Sequence, residues 1–526
     1  MPQKKHNLLK NTSGIGLATI VSRILGLARE MLLSRIVGGG EYMSAWAMGF
    51  MIPNLLRRLL GEGALGTALV PIMTHTFENE SRDSARRKLT VITAALGVIL
   101  ALVCIVIAAG SLIILPFLGS APERVKLIFE LLPLLIPYAF FICLIGIFGS
   151  VMNSIGKFFM PAVASITLNI VMVLCLLLVC PYYKDNPRHM LYALSLSVLA
   201  SGVLQLVMML WMLEKEKLMP GIQLRNLLKE PVVRELYQLT IPGIIGASAL
   251  QISFVIDRTI ACYISDYAVP ALYFSDRLID LPIGVFAVAM GSVVLTELSR
   301  YAAKNDIEGM LSSFLHALRN ILFLCIPVAL FTLVFSKQLI HIFYFGGKFG
   351  EREVAETLLT MQLYSIGIPA FSAVKIIVSG FHSRKDMKTP VKVAVSCILL
   401  NIVLCLILMW PLKQGGIALA TSICSFVNCG VLLYFLKKQL GTLHLSAILP
   451  SLFRTIAVSA YVLIICWFIY QPIAGIQVKY LPRDLIPLSV TGSFFVVMYL
   501  FISSVFHSAE AEEWLGMLRR KRNSNQ

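Results

Sequence analysis

Arginine is the residue whose placement most needs explaining in this sequence. The stretch IVSRILGLAREMLLSRI carries Arg23, Arg29 and Glu30, and MIPNLLRRLLGEGAL carries Arg57 and Arg58. Both lie in apolar surroundings long enough to be membrane-embedded. A charged side chain at mid-bilayer costs at least ~2.5–3.5 kcal/mol on insertion scales, so such groups face water or a partner. In the second half, SFVIDRTIA carries Asp257 and Arg258, and YFSDRLIDLPIG carries Asp276, Arg277 and Asp280. The deep arginines Arg23, Arg29, Arg57 and Arg58 have only Glu30 as a nearby acid. That surplus of positive charge calls for an external anion, and a guanidinium matches phosphate oxygens bidentately. The chemistry implied is reception of a phosphate-bearing group.

Helical geometry sorts these residues. Arg23 and Glu30, seven apart, share a face, whereas Arg29 points about 100° away from Glu30. Adjacent Arg57 and Arg58 diverge in the same way, so one projects centrally and the other anchors the bundle. A structural reading stands beside the functional one for the acids. Asp276 or Asp280 could simply neutralise Arg277, Asp280 being three residues on. Arg35 lies near a helix end, where it snorkels to the interface.

The elements that must position these groups are membrane helices. The chain has 526 residues, 58% hydrophobic and 14% charged, with mean hydropathy +0.82. Apolar runs of roughly 20 residues recur throughout, each sufficient to cross a hydrocarbon core of about 30 Å. The reading is an all-α polytopic membrane protein of about fourteen spans. They lie near 14–37, 43–74, 89–118, 126–151, 159–181, 190–213, 236–263, 268–298, 312–336, 355–380, 390–411, 415–436, 453–471 and 485–506. Pro53, Gly61 and Gly63 let the long second span bend, which a cavity wall tolerates. The N-terminal MPQKKHNLLKNTSG is polar and basic, so no cleavable signal is expected.

The net charge of +17 sets topology rather than nucleic-acid binding. Loops on one side hold roughly 24 Lys and Arg against roughly 9 on the other, which puts both termini in the cytoplasm. The cysteines fall singly along apolar runs and read as small buried hydrophobes, without a disulfide framework or zinc site.

The two halves echo each other. GKFFMPAVASITLNIVMVLCLLL (156–178) resembles KDMKTPVKVAVSCILLNIVLCLILM (385–409), sharing LNIV, and GALGTALVP (63–71) resembles VAMGSVVLT (288–296). The offset is 225 to 232 residues. About six helices separate matching elements, so the halves enter the membrane in the same sense, as a parallel repeat. The expected organisation is a six-helix bundle over 1–213, a basic cytoplasmic linker over 214–235, and a second six-helix bundle over 236–440. Residues 441–526 add two further helices and a basic tail. The charged helices, the first and second of each bundle, would then surround one central cavity. No P-loop, HExxH or dinucleotide-binding glycine loop occurs, so any transport draws on an ion gradient or the membrane potential rather than on ATP or enzyme chemistry here.

SRILGLAREMLLSRIVG, IPNLLRRLLGEGALGTALVP and LYFSDRLIDLPIGVFAVAMGSVVL together resemble the MurJ/MviN lipid II flippases of bacterial inner membranes. These belong to the multidrug/oligosaccharidyl-lipid/polysaccharide exporter superfamily. The resemblance spans nearly the whole chain. It implies movement of the undecaprenyl-pyrophosphate-linked peptidoglycan precursor from the cytoplasmic to the periplasmic leaflet. The substrate-binding residues it implies are Arg23, Arg29, Arg57 and Arg277, with Arg58 and Glu30 beside them. Pro53, Asn54 and Glu62, with Asp276 and Asp280, would support the cavity or its gating. The last two helices would hold the polyprenyl tail, and cell-wall synthesis or division proteins would be partners.

Two departures stand out. Family members often carry Asp where this chain has Ser44. Some members hold a sodium ion; Asp257, Asn401 and Thr421 match that site, but Cys405 stands one turn after Asn401, and a hard cation prefers oxygen to thiol. A cation-coupled drug exporter of the same superfamily is a rival, though it would favour acidic and aromatic cavity residues. A flippase for another polyprenyl-pyrophosphate glycan would suit the arginines equally. A membrane scaffold or glycan polymerase would not need the facing charged repeats.

Overall fold

The computed structural model describes residues 21–61, 64–221, 230–441, 446, 448–476 and 482–523. The expected Glu62 and Gly63 lie outside that set, as do the first twenty residues. All the long elements are helices, and the described residues contain no β-strand. The first seven are α1 (21–37), α2 (Glu41–Leu56), α3 (Ala64–Asn79), α4 (Arg82–Ile114), α5 (Glu123–Ser154), α6 (Phe159–Leu174) and α7 (Pro187–Lys215). There follow α8 (Pro231–Ile264), α9 (Ala268–Pro282), α10 (Val288–Ala303), α11 (Ile307–Val334), α12 (Ser336–Phe343) and α13 (Glu351–Ser383). The last are α14 (Lys388–Leu412), α15 (Gln414–Leu440), α16 (Leu449–Ile473), α17 (Leu485–Val505) and α18 (Ala509–Asn523).

Among the described residues, 11 helical spans are long and apolar enough to cross a membrane. The other three expected spans coincide with α1, with α2 and α3, and with α8. The chain is thus a polytopic helical membrane protein. Polar side chains cap α4, α7 and α11 and satisfy N–H groups that have no partner within the first turn. The Ser81 hydroxyl accepts from the Ser84 N–H at 3.2 Å before α4, and Asp306 accepts from the Gly309 N–H at 2.8 Å before α11.

The chain packs as two units, Met1–Val255 with Gly347–Phe349, and Ile256–Gly346 with Gly350–Gln526. The division falls inside α8, downstream of the basic stretch 214–235. In the first unit α5 is the central helix, packing on α2, α4 and α7. Its buried residues run all round its circumference, as a helix enclosed by neighbours requires. In the second unit α13 takes that place, between α9, α11 and α15.

A matching irregularity marks the repeat. In the first unit α2 runs into a π-helical turn, Arg57–Gly61, and α3 begins at Ala64. In the second, α9 passes through a π-helical turn, Ile283–Ala287, into α10. The two turns begin 226 positions apart, inside the offset that separates the repeated sequences. Single π turns inside α-helices often mark functional positions.

The cysteines are free thiols, and all but Cys429 are buried. The Cys175 thiol donates to the Ala193 carbonyl at 3.6 Å. A π-helical turn over Cys175–Val179 returns the Cys180 N–H to the Cys175 carbonyl, bringing together residues five apart.

Candidate anion-binding site

Helix α1 leaves Arg23 exposed and buries Glu30, while Arg29 is nearly buried. Arg29 Nη2 forms an ion pair with Glu30 Oε1, and Arg29 Nη1 donates to Asn169 Oδ1 on α6 at 2.9 Å. This corrects the reading that Arg29 diverges from Glu30. The helical wheel separates their Cα–Cβ directions, but two long side chains can curl toward each other across that angle. In low dielectric the Coulombic attraction is enough to hold them there.

The second span positions Arg57 and Arg58 through its π turn. Pro53 sits inside α2, where it lacks an N–H to donate, and Asn54 Nδ2 donates to the Phe50 carbonyl at 3.1 Å. The Leu56 carbonyl accepts from the Cys143 thiol of α5 at 3.6 Å. The turn lies hard against α5 because both faces are glycine. A Cβ added at Gly146 would stand 2.5 Å from the Gly61 carbonyl oxygen. From this turn Arg57 projects half-buried and Arg58 exposed, with Arg58 Nη1 3.5 Å from Gln251 Oε1 of α8. A cavity of about 570 Å³ lies beside the turn, its wall including Gly61, Gly66, Gly146, Asn153 and Gln205. Ser44, the departure from the family's acid, is fully buried in α2.

The second unit organises its charges differently. Arg258 of α8, 4% exposed, forms an ion pair with Asp276 of α9. Asp276 therefore pairs with Arg258, a partner beyond the choice of Asp276 or Asp280 for Arg277 that the sequence offered. The cause is tertiary: α8 delivers a guanidinium that sequence spacing on α9 could not show. The Arg277 guanidinium lies 5.0 Å from the Tyr273 ring centroid, within the range of cation–π attraction. Asp280 is exposed.

Asp257 accepts from Asn401 Nδ2 at 2.7 Å and from the Cys405 thiol at 3.6 Å, both on the same oxygen. The Thr421 hydroxyl donates to the Ile417 carbonyl of its own helix at 3.0 Å. Among the described residues no group of three His, Cys, Asp or Glu side chains could hold a metal. A hard cation needs a shell of oxygens, whereas this carboxylate is solvated by an amide and a thiol. Asp257, Asn401 and Thr421 are the oxygen-bearing residues that would hold a sodium ion, and Asn401 Oδ1 is buried with no hydrogen-bond partner.

Sequence spacing had not singled out Arg258 or Asn169 as site residues. The repeated LNIV, which contains Asn169 and Asn401, was the one available signal.

The family model for lipid II flippase MurJ matches residues 33–491. The chain belongs to the lipid II flippase MurJ family. It is 30% identical over 454 residues to a probable lipid II flippase MurJ of Vibrio cholerae serotype O1, covering 84% of each chain. It is 29% identical over 439 residues to the lipid II flippase MurJ of Burkholderia cenocepacia, covering 82% of this chain and 84% of that one. A solved structure of lipid II flippase MurJ in an inward closed conformation matches with TM-score 0.77 at 24% identity, covering 94% of this chain and 98% of that chain. An inward-facing multidrug resistance MATE transporter matches with TM-score 0.66 at 13% identity, covering 81% and 95%. At those identities the likeness concerns the fold, which MurJ and MATE proteins share. The MurJ family match includes Arg57, Arg58 and Arg277 but begins after Arg23, Arg29 and Glu30. For those three, geometry carries the argument.

Proposed function

We propose that this protein is a lipid II flippase of the bacterial inner membrane, a transporter and not an enzyme. It moves the undecaprenyl-pyrophosphate-linked precursor from the cytoplasmic to the periplasmic leaflet by alternating access. The observation that carries the reading is the MurJ family match over 33–491 in a chain whose membrane helices bear arginines. In the proposed cycle Arg23, Arg29, Arg57, Arg58 and Arg277 receive the diphosphate, with Glu30 holding Arg29. Pro53, Asn54, Asp276 and Asp280 support the helices that move. The outward faces of α16 and α17, which expose Phe453, Phe468, Val497 and Phe501, accept the polyprenyl tail. Both termini and the basic stretch 214–235 lie in the cytoplasm.

A ligand shifts a conformational balance only through different affinity for the two states. Neutralising clustered guanidinium groups supplies such a difference, because like charges crowded in low dielectric repel until an anion arrives. Return of the emptied, positively charged site toward the cytoplasm is favoured by an inside-negative potential, by ~2.3 kcal/mol per charge per 100 mV.

The test is transfer of fluorescently labelled lipid II across the bilayer of proteoliposomes. The wild-type protein should carry it; Arg29→Ala and Arg57→Ala should abolish transfer while inserting normally. Wild-type rates from both variants, or transfer of cationic drugs in place of lipid II, would overturn the reading.

A further inference from the structure

Within the first unit, α3, α5, α6 and α7 surround the cavity of about 570 Å³ that adjoins the π turn at Gly61. Gly61, Gly66 and Gly146 leave much of its wall without side chains, and Val70, Ile142 and Ile145 keep the remainder largely apolar. Among the described residues no charged side chain lines it; the polar ones are Ser150, Asn153 and Gln205. Gln205 of α7 is 1% exposed. Its Nε2 donates to the Ala164 carbonyl of α6 at 2.6 Å. That bond fixes which way the carboxamide faces, because a flipped amide would set two acceptors against each other. Gln205 Oε1 is left buried at the cavity with no hydrogen-bond partner. Ser150 does not supply a donor, since its hydroxyl proton goes to the Gly146 carbonyl at 2.9 Å. A buried acceptor left unmet costs about 1–3 kcal/mol.

We propose that this cavity binds a neutral, lipid-soluble molecule, an apolar chain ending in a single hydroxyl whose O–H donates to Gln205 Oε1. The lining selects that class against three others. A charged ligand would be desolvated without a counter-charge. A sugar or other polyol would press several hydroxyls against glycine and aliphatic walls that offer too few partners. A plain hydrocarbon would leave the Gln205 oxygen unmet. One donor on an apolar body answers both the walls and the acceptor. The volume falls within the roughly 300–1,000 Å³ of small-molecule sites, and the cavity is partly open, so a molecule can enter it. Gly61 belongs to the turn that carries Arg57 and Arg58, so an occupant rests against the element that places them. The site is separate from lipid II transport and does not rest on any role of the arginines toward substrate.

The experiment uses the full chain in lipid nanodiscs. The probe is a medium-chain primary alkanol carrying a photoreactive diazirine, and mass spectrometry maps the labelled peptides after irradiation. The unlabelled alkanol and its methyl ether, matched in chain and corrected for partition into the lipid, compete against it. Label should concentrate on the cavity-lining segments of α3, α5, α6 and α7. The alkanol should compete about tenfold better than the ether, the scale of meeting one buried acceptor. Gln205→Leu keeps the bulk and removes the acceptor, and it should shrink that preference below about twofold. Val70→Phe fills the cavity and leaves the Gln205–Ala164 bond in place. It should cut cavity labelling severalfold, and it serves as the test if Gln205→Leu does not fold. Equal competition by alkanol and ether in the wild type would mean that water alone satisfies Gln205, and would overturn the proposal. So would label spread evenly over the lipid-facing helices, a preference that survives Gln205→Leu, or labelling untouched by Val70→Phe.

Discussion

Replacing Gly146 by alanine tests the contact that places Arg57 and Arg58. The new Cβ would lie 2.5 Å from the Gly61 carbonyl oxygen, 2.8 Å from its carbon and 2.9 Å from its Cα. All three obstacles are backbone atoms, so no side-chain rotation relieves them. Ordinary contact begins near 3.4 Å, and α5 must therefore part from the π turn by about 0.9 Å. Overpacking of this kind costs roughly 1–3 kcal/mol, and a backbone-on-backbone clash falls toward the top of that range. For a unit of this size the midpoint of thermal unfolding should drop by about 4–12 °C. Arg57 and Arg58 leave from the displaced turn, so lipid II transfer should fall even at temperatures where Gly146→Ala remains folded. Gly149→Ala is the control on the same helix: its Cβ would meet Pro161 at 3.5 Å, an ordinary contact. The gain in helix propensity, up to about 1 kcal/mol, should leave that variant neutral or slightly more stable. The comparison is a differential scanning measurement on both purified variants with a parallel transfer assay. If Gly146→Ala melts and transports like Gly149→Ala, the close approach does not position the arginines and the argument is wrong.

Breaking the Arg258–Asp276 pair by Asp276→Leu should cost up to about 3–5 kcal/mol, because it leaves a buried guanidinium uncompensated. Arg258→Met in the same chain should recover most of that loss, read as the unfolding midpoint of the single and double variants. At the start of α18, burial pushes the Glu510 carboxyl up. Hydrogen bonds from the Ser508 hydroxyl, its own amide, Ser451 and Arg319 outweigh that and hold it down at about 2. A carboxyl depressed in the fold stabilises above its ordinary value of 4.5 and loses that contribution as pH falls toward 2. The hydrogen-exchange protection factors of α18, corrected for the intrinsic rate at each pH, should therefore fall as the pH drops below about 4.5 in the wild type, and Glu510→Gln should flatten that dependence. Dissipating an inside-negative potential across proteoliposomes should slow repeated turnover more than the first transfer, by up to roughly fiftyfold per charge at 100 mV. An unchanged turnover rate would exclude a charged return step.

The irregular points of the fold were legible to different degrees. Pro53 and Gly61 signalled that the second span would bend, yet a π turn rather than a kink resulted. The reason lies on α5: Gly146 lets the turn nest against it, and the Cys143 thiol meets the Leu56 carbonyl. A one-dimensional pattern contains neither partner. The LNIV repeat announced that 168–171 and 400–403 correspond, but not that Asn169 and Asn401 each reach the first helix of its own bundle. Local spacing set Arg29 apart from Glu30, whereas their side chains pair across the helical wheel. It offered Asp276 or Asp280 to Arg277, and could not show that Asp276 pairs with Arg258 of another helix.

Hydropathy by itself determined that this chain is a membrane protein and where its helices run, and the shared LNIV signalled that its halves repeat. The backbone in a bilayer must satisfy its own hydrogen bonds, and apolar runs of the right length leave only helix as the solution. Tertiary structure alone decided which charge meets which. A buried ion settles on whatever partner packing brings within a few ångströms, and that distance depends on helices far apart in the chain.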